Sequence, residues 1–225
     1  MSEKILFSAE NVSSTGDGIF RRNKFMLREI DFELPEGYIM GITGKNGAGK
    51  TTFFNRIIGD RKKYTGSFKF DGCEIHSDHR SFLDRTAFIS DSCMFFSGVS
   101  AVRNAEIIGR FYSRMDIGQF KETMEEFNIP VSECPEKMSR GEYIKFQFAF
   151  ALAHDPSLLL LDEPTAGMDP VFRKEFFRLL KHYLEKGGRS VIMSSHIQED
   201  IEKHFDYIGH FESGRFTDFR INESF

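Results

Sequence analysis

Hydrophobic positions follow two patterns along this chain, and both are typical of β-strands. In residues 30–34 and 67–70, hydrophobic side chains alternate with polar ones, which predicts strands with one buried face. Other segments are short and rich in hydrophobic residues, which predicts strands buried within a sheet. These segments are residues 38–42, 86–90, 158–161 and 191–193.

Helical patterning is concentrated in two regions between these strands. The residues from about Val99 to Ala153 are mostly helical in pattern, with breaks at 128–130 and near Pro135. A second helical stretch extends from about Pro170 to Lys186. Strands that alternate with helices in this way indicate an α/β fold with a mostly parallel sheet.

A glycine-rich segment joins the strand at residues 38–42 to the helical pattern that follows it. The segment is Gly44, Lys45, Asn46, Gly47, Ala48, Gly49, Lys50, Thr51 and Thr52, and it matches the P-loop motif G-x-x-x-x-G-K-[ST]. Glycines allow backbone N–H groups to wrap a phosphate chain closely, and a helix N-terminus favours negative charge. Lys50 can reach the β- and γ-phosphates, and the Thr51 hydroxyl can bind Mg²⁺. We therefore predict that the chain binds a nucleoside triphosphate.

Two adjacent carboxylates follow the hydrophobic run of residues 158–161. Ligands bind at the C-terminal edge of parallel sheets, so Asp162 is predicted to meet the metal ion bound by Thr51, directly or through water. Glu163 is expected to project from the opposite side of the pleat, where it can accept a proton from a water molecule aligned on the γ-phosphorus. Hydrolysis of the nucleotide is therefore the predicted reaction.

Composition narrows the class of protein further. The formal net charge of −4 argues against a nucleic-acid-binding protein with a general basic surface. Residues 1–5 lack the pattern of a signal peptide, and the hydrophobic runs are too short for a membrane-spanning helix. Cys73, Cys93 and Cys134 show no metal-ligand spacing, which favours reduced thiols in a cytosolic protein.

The motifs occur in an order that resembles the ATP-binding subunits of ABC (ATP-binding cassette) transporters, and the resemblance covers almost the whole chain. Residues 44–51 match the Walker A motif of that family, and residues 158–163 match its Walker B motif. Met138 to Glu142 lies where the family has its Leu-Ser-Gly-Gly-Gln signature. Residues 166–169 resemble the D-loop, and residues 194–196 resemble the segment with the switch histidine.

The resemblance implies one domain, residues 1–225, with a P-loop NTPase core and two additions. The core has a mostly parallel sheet and comprises residues 1–90 and 155–225, together with an N-terminal antiparallel β subdomain. An inserted helical subdomain, at about residues 91–154, would carry the signature motif.

Site roles also follow from the resemblance. ATP and Mg²⁺ are the implied ligands, and two cassettes would pair head to tail with each ATP between the Walker A motif of one and the signature of the other. Ser139, Gly141 and Asp169 would then contact the partner's ATP, while Glu163 and His196 would be catalytic.

An aromatic residue upstream of Walker A stacks on the adenine in this family. Phe20 is the candidate here, and Phe25 is its rival.

Three positions depart from the family pattern. Asp91 stands where the family usually has a glutamine that contacts Mg²⁺, and a carboxylate oxygen can also bind this ion, so Asp91 is a candidate metal ligand. In the signature, Arg140 replaces a glycine and Glu142 replaces a glutamine. Arg140 either adds charge at the composite site or is simply solvated.

The predicted function is an ATP-hydrolysing subunit that powers a separate transmembrane permease, more in the manner of an exporter. It would work with a second cassette, identical or different, and lie on the cytoplasmic face of the cell membrane. The alternatives are a soluble ABC ATPase that acts on nucleic acid or ribosomes and a non-hydrolysing regulatory cassette. The hydrophobic segment 91–99 is interpreted in two ways: Phe95 and Phe96 line a groove for a helix of the permease, or they pack inside the helical subdomain.

Overall fold

A small antiparallel sheet is formed by the N-terminal part of the chain. The computed structural model describes residues 3–14, 26–92 and 94–223. The strands of this sheet are β1 (Ile5–Ser14), β2 (Ile30–Pro35), β4 (Tyr64–Phe70) and β5 (Cys73–Glu74). They lie in the order β2-β1-β4-β5, and all neighbours are antiparallel. The predicted alternation holds in β2, where Ile30, Phe32 and Leu34 are buried and the residues between them are exposed.

A second sheet of six strands forms the centre of the fold. Its strands are β3 (Ile39–Thr43), β6 (Thr86–Ile89), β7 (Leu158–Leu161), β8 (Ser190–Ser194), β9 (Tyr207–Glu212) and β10 (Arg215–Ile221). They lie in the order β10-β9-β3-β8-β7-β6, in which only the edge strand β10 runs antiparallel to its neighbour. The prediction of an α/β fold with a mostly parallel sheet is confirmed.

Seven α-helices connect these strands within the described residues. They are α1 (Lys50–Ile58), α2 (His79–Asp84), α3 (Ala101–Ile108), α4 (Ile117–Glu126), α5 (Arg140–Ala153), α6 (Pro170–Glu185) and α7 (Gln198–His204). Helices α3, α4 and α5 lie between β6 and β7 in the chain, where the helical pattern predicted them. The break after α4 includes Asn128, whose φ of 56° is left-handed, and a short 3₁₀ turn at Pro135–Lys137 precedes α5. The division into a core and a helical subdomain stays a prediction.

The four consecutive leucines of β7 explain how the larger sheet is buried on both faces. Leu158 and Leu160 belong to one hydrophobic cluster, and Leu159 and Leu161 belong to the other. Each is fully buried, and a buried leucine side chain contributes roughly 1.5–3 kcal/mol. The end of β7 is therefore a rigid position from which to present the residues that follow.

None of the helices in the described residues has the length and apolar character needed to cross a bilayer.

Candidate nucleotide site

The loop between β3 and α1 has a backbone that favours glycine at three positions. Gly44, Gly47 and Gly49 have φ angles of 138°, 79° and 122°. A Cβ atom at Gly44 would lie 2.4 Å from the main-chain oxygen of Phe211, so no side chain fits there. Helix α1 then begins at Lys50, so its free N–H groups and the positive end of its dipole face the loop. The loop has the shape required to wrap a phosphate chain.

Lys50 is turned into this loop and is almost fully buried. Its Nζ donates a hydrogen bond to the main-chain oxygen of Gly44 at 2.8 Å. The same nitrogen lies 3.2 Å from Oε1 of Glu163. A phosphate group bound by the loop would therefore compete with Glu163 for this lysine.

Thr51, the second residue of α1, connects the loop to the end of β7 through a hydrogen bond. The hydroxyl of Thr51 donates to Oδ2 of Asp162 at 2.6 Å. The other carboxylate oxygen, Oδ1, accepts a hydrogen bond from the buried hydroxyl of Ser194 at 2.7 Å. A hydroxyl and a carboxylate in contact supply the oxygen ligands that Mg²⁺ requires, so the donor set fits this ion.

Glu163 is presented differently from the expectation based on the strand pleat. Strand β7 ends at Leu161, and Glu163 adopts a left-handed conformation with a φ of 49°. Its N–H donates to Oγ of Ser194 at 2.8 Å, and its Oε2 lies 3.4 Å from Nδ1 of His196. A turn beyond the strand, and not the pleat, therefore aims this carboxylate between Lys50 and the exposed His196.

Lys50, Thr51, Asp162 and Glu163 line one cavity of about 530 Å³. Its walls come from residues 46, 47 and 49–52 of the loop and first turn, from residues 90–92 after β6, and from Asp162 and Glu163 after β7. The cavity thus lies at the C-terminal ends of neighbouring parallel strands, which is where open α/β sheets bind ligands.

Asp91 lines this cavity, but its carboxylate is engaged by the signature segment. Its Oδ1 accepts from Nε of Arg140 at 2.9 Å, and its Oδ2 lies 2.8 Å from Nη2 of the same side chain. Arg140 thus forms an ion pair within the subunit, which neither of its two predicted roles included, and added charge at the composite site stays a prediction. Metal binding by Asp91 stays a prediction.

Ser139 begins α5 as its N-cap. Its Oγ accepts from the N–H of Glu142 at 3.4 Å and its own N–H donates to Oε2 of Glu142 at 2.8 Å, which is a capping box. The Ser139 hydroxyl also donates to Oε2, at 2.7 Å. These hydrogen bonds hold the pKa of the Glu142 carboxyl below its usual value. A negative charge therefore lies beside Ser139 and Gly141 at the helix end where a phosphate of a partner subunit is expected.

Asp169 also has a local structural role. Its exposed carboxylate caps α6 by accepting from the N–H groups of Val171 and Phe172, at 3.0 and 2.9 Å. Contact between Asp169 and a partner subunit stays a prediction. Phe20 and Phe25, the candidates for adenine stacking, lie outside the described residues.

Two supporting residues were not predicted from the sequence. The single hydroxyl of Ser194 bonds both Asp162 and the backbone of Glu163, so it orients both acids. The buried amide of Gln147 pairs with both main-chain groups of Ser90, at 2.9 and 3.3 Å, and so ties α5 to the end of β6. The sequence signal for the contact of Gln147 is a polar glutamine within the otherwise hydrophobic second half of α5.

Comparison with known proteins agrees with this geometry. Residues 27–166, more than half of the 225 residues, match the sequence model of the family described as ABC transporter. The chain belongs to the ABC transporter family. It is 29% identical over 192 residues to the ABC transporter ATP-binding protein YtrB of Bacillus subtilis, an alignment that covers 85% of this chain and 65% of YtrB. It is also 29% identical over 188 residues to the bacitracin transport ATP-binding protein BcrA of Bacillus licheniformis, covering 83% of this chain and 61% of BcrA. The chain thus spans less than two thirds of the length of these relatives.

Solved structures show the same fold. A dimeric structure of the ATP-binding cassette MJ0796, in a post-hydrolysis state bound to ADP and Pi, matches with a TM-score of 0.84 and 21% identity. That match covers 98% of this ABC family chain and 100% of the MJ0796 chain. CbiO1 from Clostridium perfringens, part of the transporter complex cbiONQ, matches with a TM-score of 0.77 and 22% identity over 98% of this chain and 89% of the other.

Proposed function

We propose that this ABC family chain is an ATP-hydrolysing subunit that drives transport through a separate membrane subunit. The observation that carries the proposal is the position of Glu163, whose carboxylate lies between Lys50 and His196 in the cavity that also contains Thr51 and Asp162. Phosphate-binding, metal-binding and proton-accepting groups are therefore gathered in one place, which favours hydrolysis over a purely regulatory cassette.

The arrangement supports attack by water on the γ-phosphorus of ATP. The loop and Lys50 would hold the β- and γ-phosphates, which draws Lys50 away from Glu163 and frees that carboxylate to accept the proton of the water molecule. Nδ1 of His196 would help to orient the water and the γ-phosphate. The bond to the β,γ-bridging oxygen breaks, and ADP leaves with its electron pair. Mg²⁺, held through Thr51 and Asp162, would neutralise phosphate charge.

The signature segment is proposed to serve a second cassette. The residues that line the cavity around Lys50 do not include Ser139, Gly141 or Asp169, as far as the described residues show. Ser139 and Asp169 are exposed at the N-termini of α5 and α6, and a helix N-terminus is suited to phosphate. Head-to-tail pairing would bring these groups to the ATP of the partner, whether that partner is a second copy or a different chain.

A hydrophobic groove supports docking on the membrane subunit. A cavity of about 230 Å³ is lined by Phe88, Met94, Phe95 and Phe150 among others. Met94 and Phe96 are exposed, at 55% and 53%, whereas Phe95 packs with its ring centroid 4.5 Å from that of Phe146. Phe95 thus both packs inside and lines the groove, whereas Phe96 is exposed next to it in the chain and is proposed to contact a helix of the permease. The chain would then lie on the cytoplasmic face of the membrane.

Export is the direction we propose. The support for this direction is the analogy between the altered signature residues Arg140 and Glu142 and those of small exporter cassettes.

The proposal is tested by hydrolysis and by assembly. The purified chain should hydrolyse ATP with Mg²⁺, and Lys50→Ala should abolish this activity because it removes the cation that binds the phosphates. Lys69→Ala is the matched control, since Lys69 pairs with Glu10 on the small sheet at 2.6 Å and does not line the nucleotide cavity. The tagged chain should also copurify from mild detergent with a membrane protein whose reconstitution stimulates the ATPase. An absence of hydrolysis in both the chain and the complex would refute the proposal.

A further inference from the structure

The guanidinium of Arg140 contacts two loops of its own subunit, one after β6 and one after β7. It forms a two-point ion pair with Asp91 after β6, at 2.9 and 2.8 Å. Its Nη2 also donates to the main-chain oxygen of Glu163 after β7, at 3.3 Å. Gly167 lies in the same loop as Glu163, and a Cβ atom added there would lie 3.1 Å from Nη1. The first side chain of α5 is therefore held among the loops that build the cavity.

The contact with Glu163 matters because the backbone of that residue is unusual. A φ of 49° is uncommon for a residue that is not glycine, so neighbouring groups must maintain it. The N–H of Glu163 donates to Ser194, and its carbonyl oxygen accepts from Arg140 at 3.3 Å as well as from the N–H of Ala166 at 3.2 Å. Each main-chain group of this residue thus has a partner outside its own loop.

The ion pair itself is exposed, with 41% of the Arg140 side chain and 60% of the Asp91 side chain accessible. Exposed ion pairs contribute little to the free energy of unfolding. The main effect of this pair is therefore local. It fixes the planar guanidinium at two points, the hydrogen bond from Nε and the ion contact of Nη2, and leaves an N–H of Nη2 directed at Glu163, which the single ammonium group of a lysine cannot reproduce.

We propose that Arg140, oriented by Asp91, is a positioning residue for Glu163. By holding the Glu163 peptide it keeps the carboxylate between Lys50 and His196, in the geometry required for proton transfer. This inference rests on the ATPase function proposed above.

The first test separates turnover from binding. In the full chain, Arg140→Gln should lower kcat about tenfold and leave KM for ATP within about twofold, as expected when an interaction made in the transition state is lost. Arg140→Lys should recover only part of the loss. Asp91→Asn should lower kcat similarly, and the double variant should be no slower than Arg140→Gln, because the two residues act as a unit. Arg103→Gln is the matched control, since Arg103 forms an exposed pair with Glu106 at 2.9 Å on α3.

The second test does not depend on hydrolysis. In NMR spectra of the nucleotide-free chain, Arg140→Gln should shift the ¹³C resonance of the Glu163 carbonyl, and Asp91→Asn should shift it in the same direction. Arg103→Gln should leave it unchanged. If the wild-type chain hydrolyses no ATP, the proposed function fails, and this measurement still decides the positioning role.

Two results would overturn the inference. One is an unchanged Glu163 carbonyl resonance in Arg140→Gln. The other is an increase in KM, or weaker ATP-dependent dimerisation, with kcat unchanged, which would show that Arg140 acts on the nucleotide of the partner.

Discussion

Replacement of Glu163 by glutamine tests the catalytic geometry most directly. The substitution keeps the size of the side chain and leaves the backbone contacts with Ser194 and Arg140 in place. It removes the carboxylate that would accept the proton of the attacking water. It also removes the negative partner 3.2 Å from Lys50, so this lysine becomes more available to phosphate.

The expected magnitudes follow from these contacts. A lost general base costs roughly 10²–10⁴ in turnover, which corresponds to about 3–5 kcal/mol of transition-state stabilisation. The folded state should lose only about 1 kcal/mol, because Glu163 is 28% exposed and Lys50 keeps its bond to Gly44 at 2.8 Å. ATP affinity should be unchanged or higher, and an ATP-bound dimer should accumulate because hydrolysis no longer opens it.

Three measurements check Glu163→Gln. Steady-state hydrolysis gives the turnover, fluorescence of a nucleotide analogue gives the affinity, and light scattering with ATP gives the fraction of dimer. Glu202→Gln is the control, since Glu202 is an exposed residue of α7 that accepts a hydrogen bond from Gln198 at 2.8 Å. Turnover close to that of the wild type would refute the assignment of Glu163 as the base. Loss of ATP binding would instead refute the view that Glu163 and phosphate compete for Lys50.

Four further predictions concern the signature, the groove and pH. Combined with Glu163→Gln, Ser139→Arg should abolish the ATP-dependent dimer while each monomer still binds ATP. A normal dimer by light scattering would show that the segment from Met138 to Glu142 is not the signature. Glu142→Gln should strengthen the ATP-dependent dimer about 2- to 10-fold, because it removes a negative charge from the N-terminus of α5, where the partner's phosphate is proposed to bind. A weaker dimer would contradict this account. Phe96→Ala should impair assembly with the membrane subunit without lowering Tm, because Phe96 is exposed. Phe95→Ala should lower the free energy of unfolding, measured in urea, by about 3 kcal/mol because Phe95 packs against Phe146. Similar losses of Tm in the two variants would show that both residues pack inside. Burial lowers the pKa of His154 in the folded chain. Below about pH 6.5 the unfolded chain therefore binds more protons than the folded chain. The free energy of unfolding should fall by up to about 1.4 kcal/mol per pH unit as pH decreases towards the lowered pKa. Urea unfolding at pH 7.5 and 5.5 measures this, and a slope that His154→Gln leaves unchanged would exclude His154 as its source.

Local motifs in the sequence were sufficient to predict the phosphate loop and the strands around it. The loop is contiguous, and its glycines, lysine and threonine have roles that depend on their spacing alone. The contact between Thr51 and Asp162 joins residues 111 positions apart, yet it follows from the rule that parallel strands end at one edge of a sheet. The α/β class followed from the same alternation of strands and helices.

Contacts between loops could not be predicted from the sequence. The pair of Arg140 and Asp91 joins residues 49 positions apart, and nothing in either segment specifies its partner. The orientation of Glu163 was also missed, because the length of a strand decides whether the residue after it follows the pleat or turns away. Strand β7 ends at Leu161, and the following left-handed turn is stabilised by Ser194, a tertiary contact that no local pattern encodes.

Two adjacent residues at the start of α5 are proposed to act on different nucleotide sites. Ser139 is proposed to meet the phosphate of a partner, while the next side chain, Arg140, contacts the peptide of Glu163 in its own subunit. Since both belong to the N-terminus of one rigid helix, a shift of α5 when the partner's ATP engages Ser139 would also shift the contact at Glu163. Occupancy of one composite site would thereby adjust the base of the other site through two neighbouring side chains. Such coupling requires no long pathway through the sheet, because the proposed trans contact and the positioning contact lie within one turn of α5.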